Sequence, residues 1–159
     1  MQQVTPFLWF DGQAEAAAEQ YVSIFDDAKV TDVARYPENT PGQAGSVMTV
    51  AFTIKGQELV ALNGGPEFSF SPALSLLVHC QSQDEVDRYW SALADGGETL
   101  QCGWVTDRFG VTWQIVPDRL NELLADPDPA RADRAMQAML KMDKIDIAAL
   151  EAAADATEG

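Results

Sequence analysis

The chain has 159 residues, 47% of them hydrophobic and 9% aromatic, which supports a packed core and excludes a disordered or fibrous protein. Its 25 acidic residues against 10 basic ones give a formal charge of −15. That excess repels phosphate backbones and anionic lipid, so no nucleic acid and no membrane is expected as a partner, and anionic substrates are disfavoured unless Arg35, Arg88 or Arg108 reverses the field locally.

No signal-peptide pattern and no run of ~18 apolar residues is read in the sequence, so the protein is expected to be cytoplasmic. Cys80 and Cys102 make no disulfide framework, and reduced thiols fit that compartment. With His79 as the single histidine and no Cys-x-x-Cys, a structural zinc site is not expected.

In chain order, residues 5–10 read as a short apolar strand. After Asp11-Gly12-Gln13 comes an Ala-rich helix whose apolar stripe runs through Ala14, Ala17, Ala18, Tyr21, Ile24 and Phe25. Strands follow near 29–36, 46–54 and 57–63, with a Pro- and Gly-containing loop at 37–45 and a hairpin turn at Lys55-Gly56-Gln57. Residues 73–80 are a second apolar strand and 82–94 a second helix. Gly96-Gly97 ends that helix, and 98–117 supplies the remaining strands around the tight turn Asp107-Arg108-Phe109-Gly110.

Sliding the first half by 68 positions places Trp9 on Leu77, Ala18 on Val86, Tyr21 on Tyr89, Phe25 on Leu93 and Ala28 on Gly96. These matches join two helix cores to two following turns, and a tandem βαβββ unit is the simplest account. The fold class is therefore α+β, with repeat one at about 4–63, repeat two at about 73–117 and a helical tail at 118–159 in a single domain. The tail reads as a helix at 118–125, the breaker Asp126-Pro127-Asp128-Pro129, a helix at 130–142, and a last helix from Ile147 capped by Asp146. Met136, Met139, Leu140, Ile147 and Leu150 give it an apolar side that must be buried on its own sheet or on a partner subunit's.

The two halves, together with Trp9-Phe10-Asp11-Gly12, Leu62-Asn63-Gly64-Gly65-Pro66-Glu67-Phe68, Val86-Asp87-Arg88-Tyr89-Trp90, Gln101-Cys102-Gly103-Trp104 and Trp113-Gln114-Ile115-Val116-Pro117, resemble the PhnB-like branch of the vicinal-oxygen-chelate superfamily. Its relatives are glyoxalase I, bleomycin-resistance proteins and extradiol dioxygenases, and such chains are often labelled 3-demethylubiquinone-9 3-methyltransferase-like. The resemblance implies a glyoxalase-like curved mixed sheet shaped as a cup, often completed in a homodimer. It also implies up to four inward residues at the positions that hold a divalent metal elsewhere in the superfamily. Carried over, these are Thr5, Asn63, Ser75 and Gln114, the last standing four residues after Gly110, where metal-binding members carry Glu.

Neutral Thr, Asn, Ser and Gln oxygens bind a transition metal poorly, so no metal and no other cofactor is expected. A neutral polar lining suits hydrogen bonding to a small organic ligand instead. Phe7 and Trp9 share a strand face with Thr5, and with Trp104 they complete the candidate pocket; each aromatic reads equally as ordinary core. Gln114 reads as a cavity amide, with a solvent-facing amide or one satisfied within the structure as the alternatives.

No catalytic residue is assigned. Cys102 is either a nucleophile or a small packed residue, and the acidic surroundings oppose a thiolate. His79 is either a general base or a surface histidine. Glu67 is the carboxylate nearest the expected mouth, on a loop from Gly64 to Pro72 whose Phe68 and Phe70 form either a flap or a dimer contact.

The resulting reading is a cytoplasmic, dimeric small-molecule binder with a metal-free pocket. A metal-assisted lyase, isomerase or dioxygenase-like enzyme is the rival. Methyl transfer is third and disfavoured, because Asp11-Gly12-Gln13 is not the Gly-rich turn that a doubly wound nucleoside-binding fold requires.

Overall fold

Strand, helix and three strands occur twice, with the same pairing each time. The computed structural model describes residues 2–156. The chain divides into two units, Met1–Phe70 and Ser71–Gly159, each taken here by itself.

In the first unit, β1 (Phe7–Phe10), β2 (Ala28–Arg35), β3 (Val47–Ile54) and β4 (Gln57–Asn63) form a four-stranded sheet in the order β1-β4-β3-β2, with β1 parallel to β4 and the other pairs antiparallel. The period of two in β1 divides its residues between faces: Leu8 and Phe10 are buried, whereas Phe7 is exposed. On the Leu8 face lies α1 (Ala14–Ile24), whose Ala14, Ala17, Ala18 and Tyr21 are fully buried. Alanines on that stripe let helix and sheet approach closely, and Tyr21 fills the remaining gap against Phe52. The β3–β4 turn carries positive φ at both Lys55 and Gly56, the primed geometry that matches strand twist.

The second unit repeats the plan with β5 (Ser75–Cys80), β6 (Glu98–Thr99), β7 (Trp104–Thr106) and β8 (Thr112–Pro117) in the order β5-β8-β7-β6. Its α2 (Gln83–Ala94) starts on Ser82, whose hydroxyl accepts from the Glu85 N–H, and buries Val86, Tyr89, Trp90 and Leu93. Residues matched by the 68-position shift are matched in burial: Ala18 and Val86, Tyr21 and Tyr89, and Phe25 and Leu93 are all at most 2% exposed. Burying a ring or branched chain of the Phe25 and Leu93 kind contributes about 1.5–3 kcal/mol each.

The tail folds onto its own unit. Helices α3 (Asp118–Leu124), α4 (Pro129–Met139) and α5 (Ile147–Asp155) bury Leu120, Leu123, Ala135, Ile145, Leu150 and Ala154 in one cluster with Val116 of β8. Asp146 caps α5 as expected, and Asp128, read as part of a breaker, caps α4 with Pro129 in its first turn. Helix α4 stops at Met139, three residues short of the expected end, because the carbonyls of Met142 and Asp143 turn aside to accept from the N–H groups of Cys102 and Gly103, both at 2.7 Å. Gln83 fastens the same segment to α2, donating to the Ile145 carbonyl and accepting from Ile147 N–H. The Gln83 amide, and after it Lys144, holds the Asp87 carboxyl below the usual carboxylate range.

Candidate functional site

Strand register decides which side chains share a face. In the second unit Ser75 pairs with Thr112, Leu77 with Gln114, and Gln114 with Trp104, so Ser75, Leu77, Gln114 and Trp104 project from the side of the sheet opposite α2. The Gln114 amide donates to the Ser75 hydroxyl at 2.9 Å, and Leu77 beside it is 43% exposed. Ser75, Gln114 and Trp104 are half-buried. At the far end of this face Val116 disappears under the tail cluster, so the tail closes the row and leaves the Gln114 segment open. Neither the Ser75 nor the Gln114 side chain makes another hydrogen bond among the described residues. The pair therefore still offers a hydroxyl proton, an amide N–H and a carbonyl oxygen.

The first unit treats the corresponding positions differently. Phe7 pairs with Val60 and Trp9 with Leu62, which makes Phe7 and Leu62 the register counterparts of Ser75 and Gln114, and Trp9 the counterpart of Leu77. This face is apolar. Trp9 is half-buried beneath the loop after β4: its indole N–H donates to the Gly65 carbonyl at 2.9 Å, and Phe68 meets its ring edge-on at 5.0 Å. A Cβ on Gly64 would stand well under 3.0 Å from the indole, so glycine is required there for the ring to lie flat on the backbone. Phe70 packs in the same way on Phe10. The loop expected to be a flap is thus fastened to β1 by aromatic contacts, and Glu67 is exposed with its carboxylate folded back toward Gly65.

Asn63 is placed away from the face on which the resemblance would set it. Thr5 lies before β1 begins, its hydroxyl 3.5 Å from Gln2 Nε2. Asn63 pairs with Phe10, on the helix side of the sheet, and its amide is fully engaged. Its Oδ1 accepts from Ala14 N–H at 2.8 Å and its Nδ2 donates to Glu15 and to the Val47 carbonyl. It caps α1 from a distant strand, where Gln13 provides no side-chain cap of its own. The same side chain forms part of a cleft of about 310 Å³ lined also by Asp11, Glu15, Gln43 and Ser46, an acceptor-rich hollow with no counterpart among the sequence expectations.

The weaker chemical candidates are dispersed in the second unit. His79 is exposed, with Nδ1 3.2 Å from Asp118, which also accepts from Gln81. Cys102 sits at φ 62° in the loop that receives the tail, its backbone N–H bound to Met142. Asp107, by contrast, is 4% exposed and accepts from Phe109 N–H, Val111 N–H and the Trp113 indole. It is a structural anchor for the turn that aims β8.

The resemblance implies positions for a divalent metal, and the donor chemistry does not fit one. Among the described residues no three His, Cys, Asp or Glu side chains converge as metal ligands. Ser75 and Gln114 supply neutral oxygens, and their register counterparts Phe7 and Leu62 supply none.

The sequence model of the 3-demethylubiquinone-9 3-methyltransferase family matches residues 2–116. The chain belongs to this PhnB-like family. A candidate 3-demethylubiquinone-9 3-methyltransferase, PhnB protein, from Bacillus cereus is 37% identical over 73% of this chain and 99% of its own, with a TM-score of 0.67. A protein of Pseudomonas aeruginosa is 24% identical over 74% of this chain and 98% of its own, with a TM-score of 0.58, and shares the fold. No curated protein matches the chain. The described residues contain no helix long and apolar enough to cross a membrane.

Proposed function

We propose that this PhnB-like chain is a small-molecule-binding protein of the glyoxalase/bleomycin-resistance type whose pocket works without a metal, acting in the cytoplasm as a homodimer. The observation that carries the reading is the Ser75–Gln114 hydrogen bond on a half-open sheet face between Leu77 and Trp104. A neutral donor and acceptor pair between apolar neighbours is the composition of a ligand pocket, since the polar groups orient a guest while the apolar ones exclude water. Phe7 and Phe68, 60% and 67% exposed, together with the long edge strand β2, favour a second copy as cover.

A second reading, methyl transfer, is favoured by the name of the matched family. Against it stands the strand pairing: each sheet holds one parallel pair, without the alternating parallel β/α units that present a nucleoside cofactor.

The test uses protein purified without chelator or added metal. Elemental analysis is expected to find no stoichiometric metal in the wild type, and titration with S-adenosylmethionine is expected to give no heat. Stoichiometric metal in the wild type would move metal-assisted lyase, isomerase or dioxygenase-like chemistry to the front, and tight S-adenosylmethionine binding would restore methyl transfer.

A further inference from the structure

Resting on the pocket reading above, we propose that the Ser75–Gln114 pair selects an uncharged, flat ligand bearing a cyclic amide edge, a ring carbonyl beside a ring N–H, whose apolar body lies against Leu77 and Trp104. The class follows from what the side chains have left to offer. Gln114 Nε2 has two hydrogens and gives one to Ser75 Oγ; its second hydrogen, its Oε1 and the Ser75 hydroxyl proton have no partner among the described residues. A carboxamide with a free N–H and a free carbonyl pairs in two parallel hydrogen bonds with a group that presents an acceptor next to a donor, as glutamine does when it reads adenine. A lactam edge is such a group. It matches both bonds without a change of protonation.

Charge narrows the class further. Ser75, Leu77, Thr112, Gln114, Trp104 and Thr106, which share the face by register, include no ionisable side chain. The same register carries the face on to His79, already set against Asp118 at its far end, and to the exposed Glu98 opposite Thr106 on the outermost strand. A carboxylate or phosphate guest would shed its hydration with no Lys or Arg on this face to meet it, and the carboxylate that the register places there, Glu98, is exposed on the outermost strand β6, away from the Ser75–Gln114 pair. The apolar part is set by Leu77 and Trp104, which flank Gln114 from the two neighbouring strands. An aromatic or unsaturated ring fused to the amide would lie along the indole.

The test measures calorimetric affinities of the full chain, without added metal, for 2-quinolone, N-methyl-2-quinolone and 2-naphthoate. These present the amide edge, the same edge with its donor blocked, and an anion of similar size. Wild type is expected to bind 2-quinolone about 10-fold more tightly than either other probe, the discrimination typical of one bidentate pair. Gln114→Leu is expected to retain N-methyl-2-quinolone and to lose the preference. Gln114→Glu keeps the side-chain shape while removing the N–H donors, so it is expected to lose 2-quinolone by a similar factor and stands in if the Leu variant fails to fold. Equal or tighter binding of 2-naphthoate, or a preference that persists in a folded Gln114 variant, overturns the ligand class and leaves the pocket reading standing. A wild type that binds none of the three at millimolar concentration overturns both.

Discussion

In the first unit Phe7 and Leu62 stand where the second carries Ser75 and Gln114, and Trp9 stands where the second carries Leu77. The first unit uses Trp9 to hold a loop and the polar residue that ends β4, Asn63, to hold a helix. The second leaves its polar pair half-engaged and assigns the structural work elsewhere, to Asp107 in the hairpin and to Gln83 at the tail. A duplicated scaffold thus separates two duties that compete for the same positions: a side chain whose hydrogen bonds are all made within the fold has none left for a guest.

The largest effect is expected where the second unit concentrates its structural hydrogen bonds. Asp107→Ala orphans two backbone N–H groups and the Trp113 indole in a buried turn, and should cost about 3 kcal/mol or more in urea unfolding. A cost below about 1 kcal/mol would show that the turn is held by its backbone alone. In the first unit the comparable point is Gly64. Gly64→Ala drives a methyl into the Trp9 ring, and about 2 kcal/mol of destabilisation with a changed tryptophan emission is expected. Unchanged emission would mean that the indole does not lie on the Gly64 backbone.

The division of duties is tested most directly by giving both strands leucine. Asn63→Leu removes the acceptor of Ala14 N–H and the donor to Val47, and is expected to destabilise by about 1–2 kcal/mol. Gln114→Leu, which copies the first unit's Leu62, loses only the bond to Ser75 at a half-open site and should fall within about 0.5 kcal/mol of wild type. If Gln114→Leu is the more damaging of the two, Gln114 is a structural residue and the pocket loses its main support.

The fold was legible in the sequence because burial repeats locally. Alternation marked the strands, the stripe through Ala17, Ala18 and Tyr21 marked α1, and Tyr89 in the shifted register marked α2. The tail's cap at Asp146 was legible for the same reason, since a cap and its helix are neighbours in the chain. What the sequence could not display are bonds between distant residues. Asn63 capping a helix 49 positions earlier and Gln83 reaching 62 positions to Ile145 leave no periodic trace. For the candidate site, alternation identified Gln114 as a polar residue in an apolar strand. The pairing that set Leu62, rather than Asn63, as its counterpart depends on a one-residue register that composition does not encode.

The tail gives the smallest expected effect and still separates the units. Asp126 is held below the usual carboxylate range by the Asp128 backbone N–H and then by Arg131, as Asp87 is by Gln83 and then Lys144. Arg131 also binds Asp155, so the same acid–base pairs join the start of α4 to the end of α5. Both carboxyls have folded-state pKa values below their unfolded ones. Their contribution is therefore fully present above the unfolded value of about 3.9 and is lost as pH falls through the lower folded value. Hydrogen exchange on α4 and α5 should accelerate below about pH 4 before exchange on α1, which has no such pair among the described residues. These groups lie at the surface, with the Asp126–Arg131 pair half-buried, so the change should be modest and should shrink in high salt. Simultaneous opening of α1 and α5 would instead mean that the two units unfold as one, and the tail would then be a structural part of the whole chain rather than the cover of a single sheet.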